Sequence, residues 1–227
     1  MVSADLKPMV ISLYRIAIVL LAGLLTAAAT PAFPQATKGN SQWRAALASA
    51  DTTTRMEAIV WFANNGTMAD APLLHQRLRD ESALVREYAE RGLWAIWSRS
   101  GDKAVDELMA RGVEQMEAGQ YQGAIATFSE VVKRKPAFAE GWNKRATVYY
   151  LAAEYQRSID DCDQVLKRNP GHFGALSGLG QIYYRLERFD ESLIWFRKAL
   201  EVNPNLLGVE FNIKGIERLL QEKLTKT

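Results

Sequence analysis

The sequence predicts an all-α chain folded as an α–α superhelix, a solenoid of stacked helical hairpins, and three observations predict it. The first is a period. Pro136, Pro170 and Pro204 stand at one constant interval, although the chain has only 7 Pro in 227 residues. Two such coincidences from a given Pro have a chance of roughly one in a thousand. The second is chemistry recurring in the same phase. Small residues fall at Gly112, Ala146 and Gly180 and again at Ala124, Ser158 and Ser192. Aromatics fall at Tyr121, Tyr155 and Phe189, and apolar residues at Ile125, Ile159 and Leu193, at Phe128, Cys162 and Phe196, and at Val132, Leu166 and Leu200. The third is helical spacing inside a unit. Trp142, Ala146 and Tyr149 make one stripe of residues 139–152, and Tyr155, Ser158, Ile159, Cys162, Val165 and Leu166 make one stripe of 155–167.

Each unit thus reads as two helices, a short turn between them and a stop. The closing Pro lacks an N–H and disfavours helix at the residue before it. The small residues at Gly112, Ala146 and Gly180 let the paired helix, carrying Ala124, Ser158 or Ser192, come close. Neither helix can bury its stripe alone, so the units must stack.

This pattern resembles the tetratricopeptide repeat. Its series of small residue, aromatic, small residue, aromatic and Pro is met at Gly112, Tyr121, Ala124, Phe128 and Pro136, and again at Gly180, Phe189, Ser192, Phe196 and Pro204. The early Trp and Tyr of the family stand at Trp142 and Tyr149. Val131 and Val165 depart from the family's usual Ala, which only Ala199 keeps, and looser packing is expected there. The resemblance implies three units over 101–204, and it is specific for fold and weak for function.

Taken in order, the chain begins with Lys7 and Arg15 ahead of an uncharged apolar run at 16–29. This reads as a signal peptide over 1–32, cut after Ala29 or Ala32, and implies a periplasmic or secreted protein. The alternative is an inner-membrane anchor over 16–33, the only membrane contact expected. No Cys lies near the cut, which argues against a lipid anchor. Removing Asp5, Lys7 and Arg15 from 28 basic and 26 acidic residues leaves 26 and 25, a charge of +1. So neutral a chain gives no electrostatic case for nucleic acid. Residues 33–40 read as a linker, with Ser41 as the first N-cap.

Over 41–100 a second repeat recurs at a slightly shorter interval: Leu47 matches Leu78, Arg55 matches Arg86 and Ala58 matches Ala89, with Asp51 and Asp80 each ahead of a helix start. Helices are expected at 41–50, 55–64, 70–79 and 82–98, with Asn65-Gly66 as a C-cap and Pro72 in a first turn. The run from Asp80 through Val85, Arg86, Ala89 and Leu93 is similar to a HEAT repeat; an ordinary pair of helical hairpins is the other reading. Either way the layer is expected to shield the free end of the first tetratricopeptide unit. Residues 205–227 read as one amphipathic capping helix through Leu206, Val209, Ile213, Ile216, Leu220 and Leu224, or as a helix that docks on a partner.

Catalytic and metal sites are not expected, and neither is a cofactor. One Cys excludes an internal disulfide and a cysteine-based metal site. His75 reads as a surface or hinge residue and His172 as a solvated residue at a unit junction, with no triad spacing around either. Asp160, Asp161 and Asp163 read as a solvated face, and Cys162 as a small buried apolar residue. No HExxH, P-loop or dinucleotide motif occurs.

What the resemblance implies about function is a protein or peptide partner in the concave face, lined by the first helix of each unit. Its positions here are Met109, Val113 and Met116, then Asn143, Thr147 and Tyr150, then Ser177, Gln181, Tyr184 and Arg185. Met109 and Val113 alternatively pack on the upstream layer. The Lys, Asn and Arg set with which some family members grip a carboxylate terminus falls here on Met109, Val113, Lys144, Gly174 and Ser177, so a less charged partner is expected. A non-enzymatic exported interaction scaffold follows. The alternative is a cell-envelope assembly or enzyme-accessory factor working through the Trp-rich layer of Trp43, Trp61, Trp94 and Trp97.

Overall fold

The computed structural model describes residues 40–225, and over them eleven helices follow one another with no strand. The leader at 1–32 and the linker before residue 40 lie outside the described residues.

The first four helices are α1 (Asn40–Ala46), α2 (Thr52–Asn65), α3 (Ala71–Arg77) and α4 (Ala83–Trp97). Ser41 lies inside α1 rather than capping it. Asp51 caps α2 by accepting from the Thr54 N–H at 2.7 Å, and Pro72 stands in the first turn of α3. The shorter repeat returns in the hydrogen bonds. Arg55 donates to the Ser49 and Ala50 carbonyls, and Arg86 to those of Asp80 and Glu81. Each Arg ties down the turn before its own helix. Leu47 and Leu78, and Ala58 and Ala89, are buried in one core with Ile59, Phe62, Leu74, Val85 and Leu93.

The repeats follow as α5 (Lys103–Glu117) with α6 (Tyr121–Arg134), α7 (Ala139–Leu151) with α8 (Tyr155–Arg168), and α9 (Phe173–Arg185) with α10 (Phe189–Val202). The second helices begin at Tyr121, Tyr155 and Phe189, in step with the spacing of the closing Pro residues. Small residues oppose large ones between paired helices. A Cβ on Gly112 would lie 2.6 Å from the Phe128 ring, and one on Gly180 would collide with Phe196. In the middle pair Ala146 has its methyl because the opposing slot holds Cys162, not Phe. Ser158 and Ser192 donate across the pairs to the Ala146 and Gly180 carbonyls, each at 2.7 Å. Val131 is fully buried without loosening the stack because Gly141 faces it: a Cβ there would lie 2.6 Å from the Val131 Cγ1.

The turn inside each unit is a Schellman motif whose left-handed residue falls at Gly119, Ala153 and Glu187, with φ of 72°, 60° and 58°. The following N–H groups of Gln120, Glu154 and Arg188 reach back to the carbonyls of Gln115, Tyr149 and Tyr183.

α11 (Leu207–Leu224) starts one full period after α9, as α9 starts one period after α7. It is thus a first helix without a second. Val209, Ile213 and Ile216 are buried against α10, as Ala175, Leu179 and Ile182 are one unit earlier. Where α9 turns Leu176, Gly180 and Tyr183 toward its own partner, α11 carries Glu210, Lys214 and Glu217, all exposed.

The expectation that the layer shields the first unit is corrected. Its hydrophobic core takes in Phe173, Val202 and Leu206, from the two junctions around the third unit. Arg79 donates to the Glu201 and Val202 carbonyls, Arg86 to Asn205 Oδ1 at 2.9 Å, and Asn203 to Glu90 at 2.9 Å. Asn205 donates to the Leu78 carbonyl at 2.8 Å. The layer therefore folds back over the third unit. Trp94 and Trp97 at the end of α4 pack on Phe173 at one of these junctions, whereas the first unit meets only the segment between α4 and α5, where Lys135 donates to the Ser100 carbonyl and Asp106 accepts from the Ser100 hydroxyl.

Candidate partner-binding face

The first helices α5, α7 and α9 touch in succession, and their stacking brings the expected groove positions onto one face. Val113, Thr147, Tyr150, Ser177, Tyr184 and Arg185 are half-buried there. Met109, Met116, Asn143 and Gln181 are buried, at 9%, 5%, 8% and 7% exposure, and so offer support more than contact area. Arg185 Nε donates to Tyr150 Oη at 3.0 Å, which fixes the guanidinium across two units. Burial comes first in acting on the Tyr150 phenol and pushes its pKa up, against the Arg185 hydrogen bond. Tyr184 leans on Phe189, with ring centroids 5.8 Å apart.

At the other end of these helices lies a site that sequence reading missed. His172 is fully buried, not solvated. Its Nδ1 accepts the Ala175 N–H at 3.1 Å and so caps α9, while Nε2 faces Glu140 Oε2 at 3.1 Å. Trp97 stacks on the ring at 4.4 Å and Trp94 meets it edge-on at 5.3 Å. With Nδ1 accepting, the neutral ring carries its proton on Nε2 and donates to Glu140. Glu140, at 1% exposure, also accepts from Asn143 at 3.1 Å and pairs with Lys144 at 3.3 Å. Burial acts to raise the Glu140 pKa, but Lys144, His172 and Asn143 together outweigh it and leave the carboxyl below its usual range. Gly174 is covered too, since a Cβ there would lie 2.5 Å from Trp94. The face is thus closed at the first turn of α9 by the protein's own layer. The only cue in the sequence is Gly171 and Gly174 bracketing His172, where aromatic neighbours need room.

His75, half-buried, lies beside Trp97 at 5.9 Å and near Gly171, so it belongs to this junction; burial lowers its pKa. Asp161 is corrected as well. It is buried and holds Arg145 through two bonds of 2.7 and 2.8 Å, while Asp160 and Asp163 are exposed. Cys162 is buried among Ala146, Ile159, Leu179 and Ile182, and burial pushes its thiol pKa far up, which makes it inert.

A stack of helical hairpins with one constant period and small-to-large contacts inside each pair defines the chain as an α-solenoid. Tetratricopeptide repeat family models match residues 109–165 and 174–206. Tetratricopeptide repeats therefore occupy that span, and the matches do not reach α1–α4. Among solved structures, it is similar to the Sgt2 tetratricopeptide domain from Aspergillus fumigatus, with a TM-score of 0.52 and 18% identity over 55% of this chain and 83% of that one. The first such domain of human RPAP3 gives 0.51 and 20% over 54% and 97%. The first tetratricopeptide repeat domain of Spaghetti (RPAP3), bound to the HSP90 peptide SRMEEVD, gives 0.50 and 20% over 52% and 93%. No curated protein matches the chain.

Proposed function

We propose that this chain is a non-enzymatic interaction scaffold that holds a peptide or protein along the face made by α5, α7 and α9. The observation that carries this reading is the half-buried row of Val113, Thr147, Tyr150, Ser177, Tyr184 and Arg185, continuous over three units. Tyr and Thr there supply contact area and hydrogen bonding at little entropic cost. The peptide held by the Spaghetti domain supports the same use of the fold. Its acidic terminus does not suit the first turns here, where Glu140 is buried and Trp94 covers Gly174. Trp94 and Trp97 are committed to His172 and Phe173, which favours this face over the layer as the working surface. Export through the apolar run at 16–29 belongs to the same reading and rests on the sequence alone.

Thr147→Arg tests the face. Thr147 is half-buried and its hydroxyl bonds only to the Asn143 carbonyl of its own helix, so the long side chain fills the middle of the face without opening a core. Capture of partners from an envelope fraction is expected to be lost while Tm stays within a few degrees. Undiminished capture sinks the reading.

A further inference from the structure

The repeating phase, carried past the last closing Pro, leads to a binding wall that the family matches do not include. α11 occupies the place of a fourth first helix. Its faces differ in chemistry: the side toward the missing second helix is polar, at Glu210, Lys214 and Glu217, as a capping helix requires. The side in phase with the partner face is not. Phe211, one period after Ser177, is 48% exposed. Gly208 and Gly215, in phase with Gly174 and Gln181, flank it with open space where their side chains would stand. Tyr184 and Leu220 pack against one hydrophobic cluster, so α9 and α11 share a wall.

The charges on this wall are unbalanced. Arg188 pairs with Glu191 at 2.6 Å and Arg197 with Glu217 at 2.8 Å. Arg185 and Arg218, in the last turn of α9 and the fourth turn of α11, form no ion pair among the described residues. Arg185 is nonetheless held still, because Tyr150 takes its Nε–H and leaves the terminal nitrogens to a ligand. A fixed guanidinium without a carboxylate, on the same wall as an open aromatic ring, is complementary to an anion followed at a distance by an apolar group.

Resting on the reading of this face as the partner site, we propose that it continues onto α11 and takes a peptide carrying an acidic side chain and an apolar side chain about five residues apart. Neighbouring first helices lie ~10 Å apart, and Phe211, in phase with Ser177, stands about 12 Å along the axis from Arg185, so an extended chain spans the ~16 Å between them in about five residues. The carboxylate accepts from Arg185, with Arg218 beside the following segment, and the apolar side chain lies on Phe211 between Gly208 and Gly215. This cationic pair sits at the opposite end of the first helices from Glu140, so the peptide runs with its acidic group away from the layer.

The test is a random linear-peptide display library selected on the full chain, followed by affinity measurement with synthetic copies of the recovered peptides. Recovered peptides are expected to share the acidic and apolar spacing. Arg185→Gln, and Glu→Gln in the peptide, should each weaken binding about tenfold, and the two losses should not add. Phe211→Ser should weaken it by a similar factor. Binders that lack acidic residues, or that ignore Arg185→Gln and Phe211→Ser yet are lost with Thr147→Arg, overturn the proposal and leave the face as the partner site. Binders indifferent to all three substitutions overturn both.

Discussion

At Gly180 an added methyl group would meet the Phe196 ring, which is fully buried and has nowhere to move. The middle unit shows the compensated form of the same contact, with Ala146 against Cys162. Gly180→Ala should therefore cost about 1–3 kcal/mol in the native chain and much less in a Phe196→Cys background, as read from urea unfolding of the double-mutant cycle. The left-handed turn residues make the opposite prediction. Gly119 adopts its φ of 72° freely, whereas Ala153 is held at 60°. Ala153→Gly should stabilise by about 0.5–1 kcal/mol, because relief of the left-handed strain exceeds the entropy that Gly adds to the unfolded chain. Glu140 supplies a pH dependence. Its folded pKa lies below the ordinary 4.5, so the stability it contributes is present above that value and is lost as pH falls through the lower folded value. Glu140→Gln should flatten the fall of Tm on acidification below about pH 4.5, and an unchanged slope would count against the buried cluster. Cys162 is legible as buried because its slot holds Phe in the neighbouring units. His172 and Asp161 are not, because their partners, Glu140 with Trp97 and Arg145, are brought in by stacking and leave no periodic trace.

Helices are the most legible level, since the spacing of stripes and the closing Pro fix both their faces and their ends. The expected second helix of the middle unit, 155–167, differs from α8 by one residue. The amphipathic character of α11 is plain in the sequence, but its register as a fourth first helix takes one more step of the same period, from Phe173 to Leu207. That step separates a cap from a wall, because it assigns Phe211 to the partner side. The buried side is predicted to act as core. Ile216 has no exposure, so Ile216→Ala should cost about 2–4 kcal/mol in chemical denaturation, whereas Glu217→Ala on the polar side should change stability little.

Across the whole molecule, the sequence carries two repeats of different period, and no periodicity relates one to the other. Their meeting place depends on single residues at the junctions: Phe173, Asn203 and Asn205 on the repeats, and Arg86, Glu90, Trp94 and Trp97 on the layer. Folding back over the third unit closes one end of the first-helix face and leaves the Tyr and Arg end open. The layer thus shapes the binding face without lining it. Amide hydrogen exchange on a Trp97→Ala variant tests this placement most directly. Protection should fall at residues 169–176 and 202–209 while α5 and α6 exchange as in the native chain; loss of protection first in α5, with the third unit unaffected, would contradict it.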